Sequence, residues 1–467
     1  MIPYFPKQIG ERAMLVYLIS LSLVSLVFVN YIMGLGYIAL GFFWVCGFFG
    51  MVALCSKNWR SMSGKRFVET IVSVGLASRI VWVIVSYFFY EAVTGIPFEF
   101  SAADSLAYHE DAAWLASEPI SSTWRYLFGS VIMFADSGYP FFLSIIYRIF
   151  GPVVIIPRII NALLSTWTCV LLYKMAARTF EEETARMATI MMVFMPNLII
   201  YCGYHLKETL MILLLVAGLE RIDALIRGKQ ITFWNILLSS LLVGSLFLFR
   251  TALGAAAVIA FASAILASSA PSMKRGGKRL ALIGWGVLTL VLFAGGSIAT
   301  EVEEMWEGRE ENVVNKRKQQ AILGNQWAQY ATGAVMAPMI VVLPFATMVD
   351  VDEQYGQQAK SGGNYIRNFM GFFAILAIYE AIRRKKWRDF VLVGAFVVAY
   401  LGVVSFSGFS NSERFLLPGL PGLIMMWAYG VSCLRKESYK LLAPWCIVVV
   451  LMEVAWAYFK LGSRGIL

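Results

Sequence analysis

The chain has 467 residues, of which 59% are hydrophobic and only 15% are Asp, Glu, Lys or Arg, with a formal net charge of +10. So little charge cannot cover a soluble protein of this length, and the apolar residues fall in blocks of about twenty, enough to cross about 30 Å of hydrocarbon. The basic excess sits in short loops between those blocks, where the positive-inside rule holds it in the cytoplasm, so it calls for no nucleic acid.

In chain order, spans are expected at 14–33, 36–55, 67–90, 153–176, 185–204, 208–226, 231–250, 252–268, 280–299, 365–383, 389–407, 415–433 and 440–459. The first apolar run has no small-residue cleavage site and is expected to stay in place as a span. Basic clusters lie at Lys57, Arg60, Lys65 and Arg66, at Lys174 and Arg178, and at Arg227 and Lys229. Others lie at Lys274, Arg275, Lys278 and Arg279, at Arg383, Arg384, Lys385, Lys386 and Arg388, and at Arg435 and Lys436. Crossings begun in the cytoplasm put every one of these clusters on the cytoplasmic side. Two apolar stretches, 139–150 and 335–348, are too short to span and carry proline, so they read as re-entrant or interfacial helices near the outer face.

This map divides the chain into a two-span N-terminal addition (1–60), a core (61–300) with a first outer loop at 91–138, an outer loop (301–364) containing the segment 335–348, and C-terminal spans (365–467). The outer stretch 300–334 mixes Glu301, Glu303, Glu304, Glu307, Glu310 and Glu311 with Arg309, Lys316, Arg317 and Lys318, which suits a solvated helix as well as a binding role. The six cysteines show no C-x-x-C spacing, so neither a disulfide frame nor a zinc site is signalled.

The first outer loop concentrates chemistry. SAADSLAYHEDAAWLA (101–116) gathers Asp104, Tyr108, His109, Glu110 and Asp111. On a helix, Asp104, Tyr108 and Asp111 share one face. A carboxylate beside the membrane can take a proton from an attacking hydroxyl, although a solvated loop helix explains the same residues. Elsewhere, His205, Lys207 and Glu208 lie together at the outer end of a span. Arg158, Arg250 and Arg414 stand at outer ends of others. Such cations either snorkel to water or converge on an anionic headgroup. Glu69, Arg79 and Glu453 lie inside apolar runs, where they could mark a pathway or pair with one another.

Four stretches resemble the GT-C membrane glycosyltransferases, especially the branch of protein O-mannosyltransferases and aminoarabinose transferases. The span 67–90 with Arg79 leads into the loop bearing Asp104 and Tyr108. The run GYPFFLSIIYRIFGPVVIIPRIINALLSTWTCVLLYKMAARTF (138–180) is similar to the family's proline, apolar helix, Phe-Gly, Arg and small-residue span. YCGYHLKETL (201–210) resembles its Tyr…Glu element, and SERFLLPGLPGL (412–423) its Arg-aromatic-x-x-Pro-x-x-Pro element. The resemblance covers 67–225 well and 330–430 loosely; the spans in 14–55 have no counterpart. One departure stands out. The family shows Asp-Glu, Asp-Asp or Asp-x-Asp in this loop, whereas Ser105 and Leu106 follow Asp104 here, leaving Glu110 and Asp111 as rival bases.

The resemblance implies an all-α, polytopic transmembrane helical bundle of GT-C type in a bacterial inner membrane, with its site facing the periplasm. It implies transfer of a sugar, with inversion, from a polyprenyl-phosphate donor to a glycan, lipid or protein acceptor, with membrane lipids as further partners and no nucleic acid. Asp104 would be the base. Arg158, Lys207, Arg250 and Arg414 would take the phosphate charge, and Tyr108, His109, His205 and Glu208 would orient substrate or base. No cofactor is then required, a divalent metal being left open. Two rival readings remain: an O-antigen or capsule polymerase or ligase working from 300–364, and a lipid or solute transporter with ionisable groups at mid-membrane.

Overall fold

The computed structural model describes residues 2–128, 136–227, 232–267, 339–351, 354–406 and 412–462, with a few isolated positions beyond them (276, 277, 280, 284 and 466). Among the described residues the regular elements are helices, joined by one isolated antiparallel bridge between Ile32 and Val349.

The chain opens with α1 (Lys7–Val27), α2 (Leu35–Asn58) and α3 (Gly64–Thr94). The Ser63 hydroxyl accepts from the Arg66 amide to start α3, and Gly95 ends it at φ +77°, a conformation that glycine alone adopts without cost. Three short helices then lie outside the long spans: α4 (Ala103–Ser117), α5 (Ile120–Phe128) and α6 (Gly138–Phe150). The chain re-enters through α7 (Ile155–Thr179), α8 (Glu182–Phe194) and α9 (Pro196–Ile200), then α10 (Glu208–Arg227), α11 (Phe233–Ser245) and α12 (Thr251–Ala267). After the described gap come α13 (Tyr355–Ala359), α14 (Ser361–Arg383), α15 (Trp387–Phe406), α16 (Glu413–Leu416), α17 (Leu420–Ser432), α18 (Lys436–Lys440) and α19 (Leu442–Gly462).

Eight of these helical runs are long and apolar enough to cross a bilayer, or nine if the bent α8–α9 pair is one span. The chain is an integral membrane protein. Outward faces of α1, α2 and α3 carry bare Leu15, Leu26, Phe43, Val81 and Phe88, as a lipid-facing surface should. The run Glu413–Ser432 is almost wholly buried and forms the axis of the bundle, packed on α8 and α14. The N-terminal addition is part of this bundle: α1 packs on α19, and α2 packs on α8 and α14.

Several sequence expectations need correction. The expected span 185–204 bends by 50° after Phe194, because Pro196 has no amide to give the carbonyl of Met192. Arg79 of α3 repairs the break. It is fully buried and donates to the carbonyls of Val193 (3.2 Å) and Met192 (3.4 Å) and to Ser165 Oγ (2.8 Å). Such second partners are what make a broken helix tolerable in a membrane. Arg79, Glu69 and Glu453 therefore do not pair with one another. Glu69 faces Lys65 at the surface, and Glu453 accepts from the Ala346 amide at 3.4 Å.

The expected spans 231–250 and 252–268 are short helices, and α10, the expected span 208–226, carries Glu220, Arg221 and Asp223 in its second half. The expected span 280–299, the loop 300–334 and the cluster Lys274–Arg279 fall outside the described residues, apart from isolated positions. Within 335–348, residues 339–348 contain no α-helix: they open in a turn, with the Val342 and Leu343 amides on the Met339 carbonyl, and continue as an irregular, buried segment. Pro344 supplies no amide, and side chains take over the backbone pairing. Asn368 donates to the carbonyls of Val342 (2.7 Å) and Pro344 (2.9 Å), and Arg367 to that of Ile340 (3.1 Å).

Candidate functional site

Helix ends from distant parts of the sequence meet at one end of the bundle. They are the start of α10, the turn between α11 and α12, the start of α16, and the loop helix α4. Glu208, at the first position of α10, is fully buried. Its Oε1 accepts from Arg414 Nε of α16 and lies 3.6 Å from Arg250 Nη2. Arg414 extends its Nη1 to Asp104 Oδ2 on α4. Arg250 in turn donates to the Tyr400 hydroxyl at 3.0 Å and stacks 4.2 Å from the Phe415 ring. One guanidinium thus bridges a buried glutamate and an exposed aspartate.

A second ion pair adjoins the first. Lys207, buried one residue before Glu208, pairs with Asp136 and donates to the Phe249 carbonyl at 2.7 Å. Tyr108 donates to the same Asp136 oxygen at 3.1 Å, so α4 contributes to both pairs. Burial would raise the Asp136 carboxyl, but the charge and hydrogen bond of Lys207, helped by Tyr108 and Arg414, hold it below the usual carboxylate value. Burial lowers the Lys207 ammonium, which Asp136 only partly offsets.

Beneath this cluster lies a buried floor. Lys360 Nζ meets Glu413 Oε2 at 2.9 Å, and Asn197 donates to Glu413 and to Asn364 (3.1 Å). Glu413 precedes Arg414, so the floor fixes the backbone that aims the guanidinium. Gly363 makes this approach possible, since a Cβ there would sit 2.0 Å from Asn197 Oδ1. The roof is fastened too. Arg148 of α6 donates to the carbonyls of Leu115 (2.5 Å) and Glu118 (2.7 Å) and to Thr123 Oγ1 (2.8 Å), tying α6 to α4 and α5.

The two histidines meet through a tyrosine. His109 Nδ1 lies 2.7 Å from the Tyr147 hydroxyl, which lies 3.0 Å from His205 Nε2. Burial keeps both imidazoles below the ordinary histidine value, and the Arg158 charge pushes His205 lower still. Both are therefore neutral near pH 7.

Of the sequence-derived candidates, Asp104, Tyr108, Lys207, Glu208, Arg250 and Arg414 share one polar cluster. His109 and His205 form an adjacent group with Arg158, which stands near Phe98 and donates to the Pro97 carbonyl at 2.5 Å. Arg158 is thus not one of the three cations around Glu208 and Asp136. Asp111 turns toward the Tyr126 hydroxyl (3.2 Å), and Glu110 is exposed. Sequence reasoning missed Asp136, Tyr147 and Tyr400. Asp136 carried a signal: it is an acid closing the first outer loop, just before the run 138–180. Among the described residues, no three of His, Cys, Asp and Glu gather as a metal site; the acids here are occupied by cations.

No family model matches this sequence, and no curated protein resembles it closely. A solved structure shares its fold. The Archaeoglobus fulgidus oligosaccharyltransferase in its apo form superposes with a TM-score of 0.50 at 11% identity, covering 86% of this chain and 56% of that one. A second structure, the archaeal oligosaccharyltransferase AglB from Archaeoglobus fulgidus with an inhibitory peptide and a dolichol-phosphate, gives 0.49 at 13% identity, covering 88% and 56%. The chain thus spans little more than half the length of these proteins. The bundle shares the fold of the Archaeoglobus fulgidus oligosaccharyltransferase.

Proposed function

We propose that the protein is a GT-C glycosyltransferase that moves a sugar from a polyprenyl-phosphate donor to an acceptor hydroxyl at the outer face of a bacterial inner membrane. The observation that carries this reading is the convergence of Arg414, Arg250 and Lys207 beside the exposed Asp104. The fold shared with an oligosaccharyltransferase makes a lipid-linked sugar the natural donor class. Sidedness rests on the basic loops. Lys57 to Arg66, Arg178, Arg227 and Arg383 to Arg388 occupy the helix ends opposite the cluster, and the positive-inside rule assigns those ends to the cytoplasm.

In the proposed step the acceptor oxygen attacks the anomeric carbon while the bond from that carbon to the phosphate oxygen breaks. The acceptor proton passes to Asp104, and the electron pair leaves with the lipid phosphate. Configuration inverts because a single displacement occurs. Before substrate enters, Asp104 is engaged by Arg414. An incoming phosphate competes for that guanidinium and frees the carboxylate to face the acceptor. Arg250, held by Glu208 and Tyr400, and Lys207 supply fixed positive charge where negative charge develops, and such preorganised charge needs little rearrangement during the reaction. On this reading the three cations carry the phosphate without a metal. The branch resembled in sequence, O-mannosyl and aminoarabinose transferases, remains part of the proposal.

The test supplies purified full-length protein in detergent with a panel of polyprenyl-phosphate sugars and crude membrane acceptors, and reads released polyprenyl phosphate. Asp104→Asn should slow release about 10²–10⁴-fold, the range for losing a general base, with KM for the donor little changed. Equal release from the variant would remove Asp104 as the base and move attention to Glu110, Asp111 or residues 300–364.

A further inference from the structure

Beside the ion cluster lies a second group of polar side chains that the proposed transfer does not use. Arg158, Asn161, Tyr139 and His205 are each fully buried. Arg158 uses one nitrogen, donating to the Pro97 carbonyl, while its Nε and Nη1 have no partner. His205 Nδ1 is likewise unpartnered, and the Asn161 side chain and the Tyr139 hydroxyl have only each other. Buried polar groups are almost always hydrogen-bonded, and a native structure holds few exceptions. Here three such atoms belong to Arg158 and His205, with Asn161 and Tyr139 beside them. A guanidinium is the costliest of them to leave bare. The Glu99 carboxylate is the strongest charge acting on it, but no ion pair joins the two; Glu99 gives one oxygen to Ser105 and leaves the other buried without a partner.

The ligand chemistry follows from that inventory. One buried cation without an ion-pair partner calls for one negative charge. An amide, a phenol and a neutral imidazole suit hydroxyl groups around that charge. A phosphate dianion would be better served next door, where Lys207, Arg250 and Arg414 already gather. The two groups are neighbours, since Tyr139 lies 5.4 Å from the ring of Tyr108, and Tyr108 donates to Asp136. A group held by Arg158 would therefore belong to a molecule seated at the ion cluster.

We propose that Arg158, Asn161, Tyr139 and His205 form a closed subsite for the carboxylate of an acidic sugar, making uronic-acid-type glycans the substrate class. This rests on the glycosyltransferase reading above and narrows it. The subsite has a stopper. Pro97 and Phe98 cover Arg158, the Phe98 ring also packs on His109 and His205, and the covering segment turns at Gly95 (φ +77°) and Ser101 (φ +56°). The Pro97 carbonyl occupies the guanidinium as a substrate oxygen would, so entry requires this segment to swing away.

Binding is measured directly, on the full chain in detergent, by saturation-transfer NMR and calorimetry with methyl β-glucuronide and methyl β-glucoside. The glucuronide should bind at least about tenfold tighter, a discrimination worth about 1.4 kcal/mol. Arg158→Met should erase the preference and Arg158→Lys should keep part of it. Phe98→Ala lies outside the spans and should keep the preference while speeding association, which provides a readout if Arg158 variants fail to fold. The subsite is overturned by equal binding of the two sugars, by binding of neither to both wild type and Phe98→Ala, or by a preference that survives Arg158→Met. A preserved preference with no transfer from any donor would sink the transferase reading and leave the subsite standing.

Discussion

The two ends of the bundle carry ion networks of similar composition arranged in opposite senses. At the basic end, Glu220 and Asp223 of α10 are buried. Arg178 spans to both (2.9 and 2.7 Å), and Arg227 meets Asp223 at 2.7 Å. The arginines lie outermost, with side chains 28–30% exposed. At the site end one acid, Glu208, is also buried beneath arginines, but the outermost partners are acids. The side chains of Lys207 and Arg250 are only 6% and 11% exposed, while those of Asp136 and Asp104 are 45% and 57% exposed. Buried acids under arginines make a staple between α7 and α10. Buried cations under loop-borne acids make a positive floor whose covers can be displaced, which is the arrangement an anionic substrate needs.

The contrast can be broken from either side. The largest effect is expected at Asp104, described above. Next in size, Arg414→Met should cut transfer about 10²–10³-fold, the usual loss of one charge-stabilising donor, and Lys207→Met should act in the same direction. Neither loss should appear in Arg178→Met, at the opposite end. That variant should instead lower the unfolding free energy by about 3 kcal/mol, because two buried carboxylates lose their shared partner. Thermal melting and turnover measured on the same preparations separate these outcomes. If Arg178→Met slows transfer as much as Arg414→Met, the two networks do not differ as argued.

A smaller effect concerns acid. His109 and His205 are held below the unfolded histidine value of about 6.5. The unfolded chain therefore binds protons that the folded chain refuses, and the associated stability is full above about pH 6.5 and is lost as pH falls toward the folded values. Melting temperature should fall between pH 7 and pH 5, and His205→Gln should flatten that slope. An unchanged slope would mean that the pair does not titrate as proposed.

Much of this was legible in sequence. Hydropathy located the long helices, and the outer-end position of Arg250, Arg414, Lys207 and Glu208 marked one end of the bundle. The sequence could not show that Arg414 would reach Glu208 and Asp104 together, because that depends on a floor built from Asn197, Lys360 and Glu413 in three separate stretches. Arg79 looked like a charge in need of an acid, and it instead serves carbonyls released by Pro196. Residues 339–348 looked like part of a short helix because hydropathy cannot distinguish an apolar helix from an irregular segment whose carbonyls are satisfied by Asn368 and Arg367. Arg158 was grouped with the other outer arginines because its depth and its Pro97 partner are invisible in the chain.

The most direct test of the central claim is phosphorus NMR of a polyprenyl phosphate titrated with the full-length protein in detergent. The account predicts saturable binding that weakens at least about tenfold, or 1.4 kcal/mol, in Lys207→Met and Arg414→Met and is unchanged in Arg178→Met. Wild-type affinity in both site-end variants, or equal weakening in Arg178→Met, would contradict it.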